Sequence, residues 1–108
     1  MAFNGNEGEV VSLEDAASWL TNYSRENSDE IRAHTVGKNK LLSILNQEDC
    51  VGIRTYYAID GDGNRCLVMV GVDVDMNDQE NGVILERLPP CPPYCGTTGV
   101  LKDAWKNI

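Results

Sequence analysis

The chain has 108 residues, of which 17 are acidic and 9 are basic, giving a formal net charge of -8 at pH 7. This length suffices for one domain with a modest hydrophobic core, without a metal or disulfides to hold it together. The negative charge repels phosphate backbones and anionic lipid surfaces, so we expect neither nucleic acid nor a membrane as a partner.

The first residues predict no export. The segment MAFNGNEGEVV lacks a basic stretch followed by an apolar run, and nowhere does the chain approach the roughly 18 consecutive apolar residues of a membrane span. We therefore expect a cytoplasmic protein. In that reducing compartment the four cysteines are more often free thiols or metal ligands than structural disulfides.

Two helices are predicted in the N-terminal half. The first begins after Ser12 and ends near Ser24 or Glu26, and Ser12 with Asp15 fits a variant of the capping box. Its apolar residues recur at helical spacing: Leu13, Ala16, Ala17 and Leu20. The second helix is expected over residues 36–46, with Thr35 as its N-cap.

After the second helix, the hydrophobic period changes from 3.6 to 2. A first strand is predicted over residues 51–59, and the turn-forming DGDGN that follows reads as a hairpin loop. A second strand over residues 65–73 is apolar on both faces in its middle, which is typical of a central strand. A third strand, over residues 83–88, ends at two prolines that cannot donate hydrogen bonds to a sheet.

These elements predict an α+β fold, with two N-terminal helices packed on a three-stranded antiparallel β-meander and a Pro/Cys-rich C-terminal tail. Residues 1–90 form the expected single domain, of which residues 1–9 are expected to be frayed. Residues 91–108 form the expected tail.

The hairpin loop pairs Ile59 with Arg65, which assigns the side chains of both strands to faces. Two short helices cover only one face of the sheet, so one apolar row is left without a partner inside the chain. The candidate association surface is Leu67 and Met69 on one face, or Tyr56, Val68 and Val70 on the other. Exposed apolar rows mark association surfaces. We expect a homodimer, face to face or edge to edge; the alternative is that the tail folds back over the row.

The segment LPPCPPYCGTTG contains Cys91 and Cys95, separated by three residues. Antiparallel strand order puts Cys50 at one end of the sheet and Cys66 and Cys91 at the other, roughly 30 Å away, which disfavours a four-cysteine zinc centre. The candidate thiol pair is therefore Cys91 and Cys95, with Cys66 nearby. Three interpretations stay open: a redox-active pair or disulfide, a soft-metal site, and a rigid turn that docks the tail.

No other pattern predicts a catalytic or cofactor site. The loops after the first two strands repeat the first three ligand positions of a calcium loop, but they lack its glycine at position 6 and glutamate at position 12. Ordinary turns are therefore favoured. His34, the only histidine, is interpreted as part of the lead-in to the second helix. We assign no catalytic residue, no cofactor and no metal ligand, and we lean towards a protein that is not an enzyme.

The stretch GKNKLLSILNQEDCVGIRTYYAIDGDGNRCLVMVGVD and the later CPPYCG resemble a set of short uncharacterised bacterial proteins, mostly from the Bacteroidetes. Those proteins pair a helix ending in an Ile-Leu-x-Gln-like segment with CVGIR-Y-A-D and LV-VG-D strands, and they end in CPP-CG. The resemblance covers Val36 to Gly96. It implies a folded bacterial module and no particular chemistry.

Two functions of different classes are compatible with these patterns. The first is a small non-enzymatic interaction module that self-associates through its sheet, with an acidic surface for solubility. The alternative is a thiol protein that uses Cys91 and Cys95 as a redox-active pair or soft-metal site. A third hypothesis treats CPPYCGTTGVLKDAWKNI as a peptide that is detached from a carrier domain.

Overall fold

The computed structural model describes residues 1–105, and these form two compact units. The sheet unit comprises Met1–Gly8 and Thr35–Pro89. The helical unit comprises Glu9–His34 and the described residues from Pro90 onwards. This division differs from the predicted ranges 1–90 and 91–108, because the N-terminal helix groups with the C-terminal segment; the single-domain assignment stays a prediction.

Within residues 1–105, three helices and five strands make up the two units. In chain order they are α1 (Leu13–Glu26), β1 (Ala33–His34), α2 (Lys38–Leu45), β2 (Gly52–Ile59), β3 (Arg65–Val72), β4 (Ile84–Leu85), β5 (Pro90–Cys91) and α3 (Val100–Ala104). The predicted mixture of helix and strand with a three-stranded antiparallel sheet is confirmed. Among residues 1–105, no helix has the length and apolar character needed to cross a bilayer.

The sheet unit contains β2, β3 and β4 in that spatial order, with β3 in the centre. The predicted pairing of β2 with β3 is confirmed, from Ile59 opposite Arg65 through to the other end of the hairpin. The third strand is shorter than the predicted 83–88, because only Ile84–Leu85 pairs with β3. Arg87 has a φ of 58°, a left-handed backbone that interrupts an extended strand before residue 88.

Two loops with the pattern Asp-x-Asp-x-Asn share one set of hydrogen bonds. In the first, Oδ1 of Asp60 accepts from the backbone N–H groups of Asp62 and Asn64, both at 2.9 Å. In the second, Oδ1 of Asp73 accepts in the same way from the residues two and four positions on, both at 3.0 Å. These carboxylates therefore close Asx turns, the ordinary role expected from sequence.

Helix α2 packs on β2 and β3, where Ile44 is fully buried. The prediction of Thr35 as the N-cap is wrong, because α2 begins at Lys38 after the cap residue Gly37. The N–H of Thr35 instead donates to the carbonyl of Pro89, which holds it in an extended segment. After the helix, the side-chain oxygen Oε1 of Gln47 accepts from the N–H of Val83 and so ties the following turn to the segment before β4.

The helical unit is built on α1, whose N-cap is Ser12 as predicted: its hydroxyl accepts from the N–H of Asp15 at 3.1 Å. The prediction that both N-terminal helices pack on the sheet holds for α2, whereas α1 packs against α3. The hydroxyl of Thr21 donates to the carbonyl of Ala104 at 2.7 Å, and the ring centroids of Tyr23 and Trp105 lie 5.7 Å apart.

The C-terminal segment forms regular structure in its described part, which ends at Trp105. It contributes β5, which pairs antiparallel with β1 so that Ala33 lies opposite Cys91. It also contributes α3 and the buried residues Ala104 and Trp105. Neither β1 nor β5 can be predicted from the sequence, because a two-residue strand is too short to show a hydrophobic period.

Candidate functional site

The most open feature of the sheet unit is the free edge of β2. In the described residues β2 pairs only with β3, so its other side has no neighbouring strand. The N–H of Asp60 donates to the carbonyl of Asn64, the residue opposite. This bond determines which residues of β2 hydrogen-bond to β3 and which face the other side. The even-numbered residues of β2 thus bond to β3, and Ile53, Thr55, Tyr57 and Ile59 direct their N–H and C=O groups to the free edge.

The side chains near the end of this edge are exposed and apolar. Tyr57 is 92% exposed and Ile59 is 72% exposed, although both belong to a strand. Natural proteins normally protect a long free edge with lysine, proline or a bulge. β2 contains neither lysine nor proline, and its one charged residue is Arg54.

The predicted association surface is only partly open. Val70 is buried at 4% exposure, and Leu67, Val68 and Met69 are half-buried. Tyr56 is 44% exposed. The apolar side chains that are exposed on the hairpin therefore lie on β2, at Tyr57 and Ile59, and not in the middle of β3.

One face of the sheet carries a polar cluster that the sequence did not predict. Arg54 and Tyr56 lie on the same face of β2, and Nη1 of Arg54 donates to Oδ1 of Asp78 at 2.7 Å. The hydroxyl of Tyr56 donates to Oδ2 of the same carboxylate. The guanidinium of Arg54 also lies over the ring of Phe3, 5.9 Å from its centroid. This cluster occupies the face on which Val70 and Val72 are buried.

The hydrogen bonds in the cluster change its proton affinities. Donation to Asp78 stabilises the protonated phenol and, together with desolvation, raises the pKa of Tyr56. Hydrogen bonding to Tyr56 and to Asp78 raises the pKa of Arg54. Both shifts favour the protonated forms of Tyr56 and Arg54 at neutral pH.

Cys91 and Cys95 form a disulfide in the helical unit, with their Cα atoms 4.9 Å apart. Cys91 is held in β5, where its carbonyl accepts from the N–H of Arg32 at 2.8 Å. The turn between the two cysteines is closed by the N–H of Tyr94, which donates to the carbonyl of Pro90 at 2.9 Å. Cys66, the third member of the candidate thiol set, lies in β3 of the sheet unit as a half-buried free thiol.

The remaining candidates show no constellation that suggests chemistry. His34 lies in β1 opposite Pro90, four residues before α2 begins. Cys50 is a free thiol whose sulfur contacts the carbonyl of Gly52 at 3.3 Å. Across residues 1–105, no group of three or more His, Cys, Asp or Glu side chains is arranged to hold a metal ion.

Comparison of the chain with protein-family models, with curated proteins and with solved structures found no match. The resemblance to short bacterial proteins that end in a CPPxCG segment therefore stays a prediction.

Proposed function

We propose that this protein is a small non-enzymatic interaction module that self-associates through the sheet unit as a homodimer. The observation that carries the proposal is the free edge of β2, with its unpaired backbone groups and the exposed side chains of Tyr57 and Ile59. An edge of this kind is a template for pairing with another strand. We place the protein in the cytoplasm, with neither nucleic acid nor a membrane as a partner.

Charge supports the edge as the place where two copies meet. Each copy carries a formal charge of -8, so two copies repel each other over most of their surfaces. Residues 51–59 contain no acidic residue and one arginine. Contact along β2 therefore brings two acidic proteins together without placing carboxylates face to face.

The two faces of the sheet are less suitable. The face of Val70 carries the Arg54–Asp78 ion pair and the ring of Phe3, so its apolar residues already have partners in the chain. On the other face, Gly71 lies under the side chains of Gln47 and Gln79, which hydrogen-bond to each other at 3.2 Å. Association through the edge leaves both of these arrangements intact.

Sedimentation velocity over a range of protein concentrations tests the proposal, with a pair of matched variants. Tyr57→Lys puts a charge on the free edge and is expected to shift the protein to a monomer. Tyr94→Lys makes the same substitution at a tyrosine that is 69% exposed in the disulfide turn, and it is expected to leave the association constant unchanged. Added salt should strengthen the wild-type dimer, because it screens the net repulsion.

A monomer at all concentrations and salt levels would refute self-association. An equal loss of dimer in both lysine variants would show that net charge, and not the edge, controls it.

A second candidate function is supported by the disulfide. In this alternative, Cys91 and Cys95 cycle between a disulfide and two thiols, taking up two electrons and two protons from a dithiol or glutathione on reduction. The CX3C spacing and the Cα separation of 4.9 Å support a pair that closes without moving the backbone.

Thiol titration in glutathione buffers of graded ratio, with metal analysis, separates the two functions. A redox role predicts two reactive thiols under oxidising buffers and four under reducing buffers, with a midpoint near the cytosolic glutathione potential. Two thiols at every ratio would indicate a structural disulfide and would refute the redox function. A stoichiometric metal in the reduced protein would favour a soft-metal site.

A further inference from the structure

Helix α1 of the helical unit is only partly covered by the C-terminal segment. α1 has 14 residues and α3 has five. At about 1.5 Å per residue their lengths are about 21 Å and about 7.5 Å, so α3 is too short to cover α1. The C-terminal segment contacts the second half of α1, at Thr21 and Tyr23. Nearer the start of α1, Leu13 is 50% exposed and Trp19 is 60% exposed.

Two exposed aromatic residues of α1 lie in a row between two carboxylates. The members of this aromatic–acidic row are spaced by four, four and three residues: Asp15, Trp19, Tyr23 and Glu26. Residues at these spacings are neighbours along one face of a helix. Trp19 and Tyr23, 60% and 48% exposed, form the middle of the row. Both carboxylates are exposed, and among the ion pairs of residues 1–105 none includes Asp15 or Glu26.

The middle of the row belongs to a wider apolar surface. Ala16 and Leu20 are half-buried, and each lies three residues before an aromatic member of the row. They therefore flank Trp19 and Tyr23 on the helix. The ring of Tyr23 also rests against the buried indole of Trp105, which holds it in place while half of its surface stays open. Tryptophan and tyrosine are the residue types that contribute most to binding at protein interfaces.

Charge determines what kind of partner fits this surface. Residues 9–24 contain three acidic residues and no basic one. The only basic residue of α1, Arg25, lies outside the row, and its Nη1 contacts Oδ1 of Asn22 at 3.4 Å. A second copy packed on the row would therefore meet like charges, and so would an anionic lipid surface. A partner with a positive charge for each of Asp15 and Glu26 needs those charges about 16 Å apart, which is three turns of a helix.

We propose that the aromatic–acidic row of α1 binds a basic amphipathic helix of another protein. Lysine or arginine side chains three turns apart on that helix pair with Asp15 and Glu26, and the apolar side chains between them pack on Trp19 and Tyr23. Recognition of an amphipathic helix through apolar anchors at i, i+3 or i+4 and i+7 is a common mode of peptide binding. The row belongs to the helical unit, whereas the proposed homodimer uses the sheet unit, so the two interactions can be tested separately.

Fluorescence anisotropy of a labelled peptide tests the proposal. The peptide has about 16 residues of alanine, leucine and lysine, with leucines at i, i+3, i+4 and i+7 and lysines three turns apart at its ends. We expect saturable binding to the full chain, and a loss of at least about tenfold in affinity for Trp19→Ala. Tyr94→Ala removes an aromatic ring that is 69% exposed in the disulfide turn, and it should bind like the wild type. Circular dichroism checks that each variant keeps its helices.

A pair of charge variants separates the row from the net charge of the protein. Asp15→Asn with Glu26→Gln removes both carboxylates of the row and should weaken binding several-fold. Asp62→Asn with Glu80→Gln removes the same charge from exposed positions of the sheet unit and should leave binding nearly unchanged. Equal weakening in both double variants, equal binding of a peptide with glutamate in place of lysine, or no saturable binding would overturn the proposal. None of these results bears on the dimer, which sedimentation measures without the peptide.

Discussion

Replacing Trp105 tests whether the C-terminal segment stabilises the helical unit. The indole is 8% exposed, it lies 5.7 Å from the ring of Tyr23, and Nε1 donates to the carbonyl of Ser28 at 3.3 Å. The guanidinium of Arg32 lies 5.7 Å from the indole centroid. The side chain of Trp105 therefore contacts both α1 and the segment that follows α1.

The size of the effect follows from burial. A tryptophan buries about 200 Å² of surface, which at about 25 cal/mol per Å² gives an upper limit of about 5 kcal/mol. Residual compactness of the unfolded chain lowers this value by up to about 40%. Trp105→Ala is thus expected to lower the free energy of unfolding by about 3–5 kcal/mol, in line with other buried tryptophans. Trp105→Phe keeps a ring but loses the hydrogen bond, so it should cost about 1–2 kcal/mol.

Urea denaturation followed by the fluorescence of Trp19 measures this effect, because Trp19 lies in α1 of the same unit and is retained in both variants. The matched control is Trp19→Ala, followed by circular dichroism. This indole is 60% exposed, and its removal should cost less than about 1 kcal/mol. A cost below about 1 kcal/mol for Trp105→Ala would refute the packing of the C-terminal segment on α1.

Three further predictions concern single interactions. Ser12→Ala removes the N-cap of α1 and should cost about 1 kcal/mol in chemical denaturation, whereas Thr35→Ala, at a position that caps no helix, should cost clearly less. Met76 has a left-handed backbone with φ of 69°, and Met76→Gly should stabilise the protein by about 0.5–1 kcal/mol. This value is the backbone strain that glycine removes, minus the cost of the conformational entropy that glycine adds to the unfolded chain. Asp78→Asn should lower the pKa of Tyr56 in an ultraviolet titration, in which comparison with Tyr56→Phe identifies the signal of Tyr56. Because folding raises this pKa, the shift stabilises the folded protein. That contribution is complete below the unfolded-state pKa of about 10 and is lost as pH rises through the folded-state pKa.

The hairpin of β2 and β3 could be predicted from the sequence residue by residue. Its strands alternate clearly, and a five-residue loop between them leaves one register that keeps the two faces consistent. The N-cap of α1 was equally local, since a hydroxyl and the backbone three residues later decide it. In the hairpin a short loop sets the first pair and the rest follow from it, and in the cap the two partners are three residues apart, so spacing along the chain determines the geometry.

The pairing of β1 with β5 and the packing of α1 on α3 could not be predicted in this way. Each joins segments that are far apart in the chain, and neither Ala33–His34 nor Pro90–Cys91 is long enough to show a period. Because Pro89 and Pro90 lack an N–H, the sequence predicts that a strand ends there. Both prolines still accept hydrogen bonds in the structure: the carbonyls of Pro89 and Pro90 accept from the backbone N–H groups of Thr35 and Tyr94.

The polar cluster at Arg54 was missed, although the sequence contains the pattern that places it. The two Asp-x-Asp-x-Asn loops have the same hydrogen bonds, and in each the residue after the asparagine pairs with the residue before the first aspartate. In the first loop this gives Arg65 opposite Ile59, and in the second it gives Asp78 opposite Val72.

The repeat was hard to recognise because its fourth position differs. Gly63 has a φ of 84° in the first loop, and Met76 has a φ of 69° in the second. Glycine at this position signals a turn, whereas methionine does not. Asp-x-Asp-x-Asn alone is thus enough to build the loop. The second copy brings a carboxylate onto the sheet face where Arg54 and Tyr56 lie, so the local turn chemistry closes that face and leaves the edge of β2 as the open surface of the hairpin.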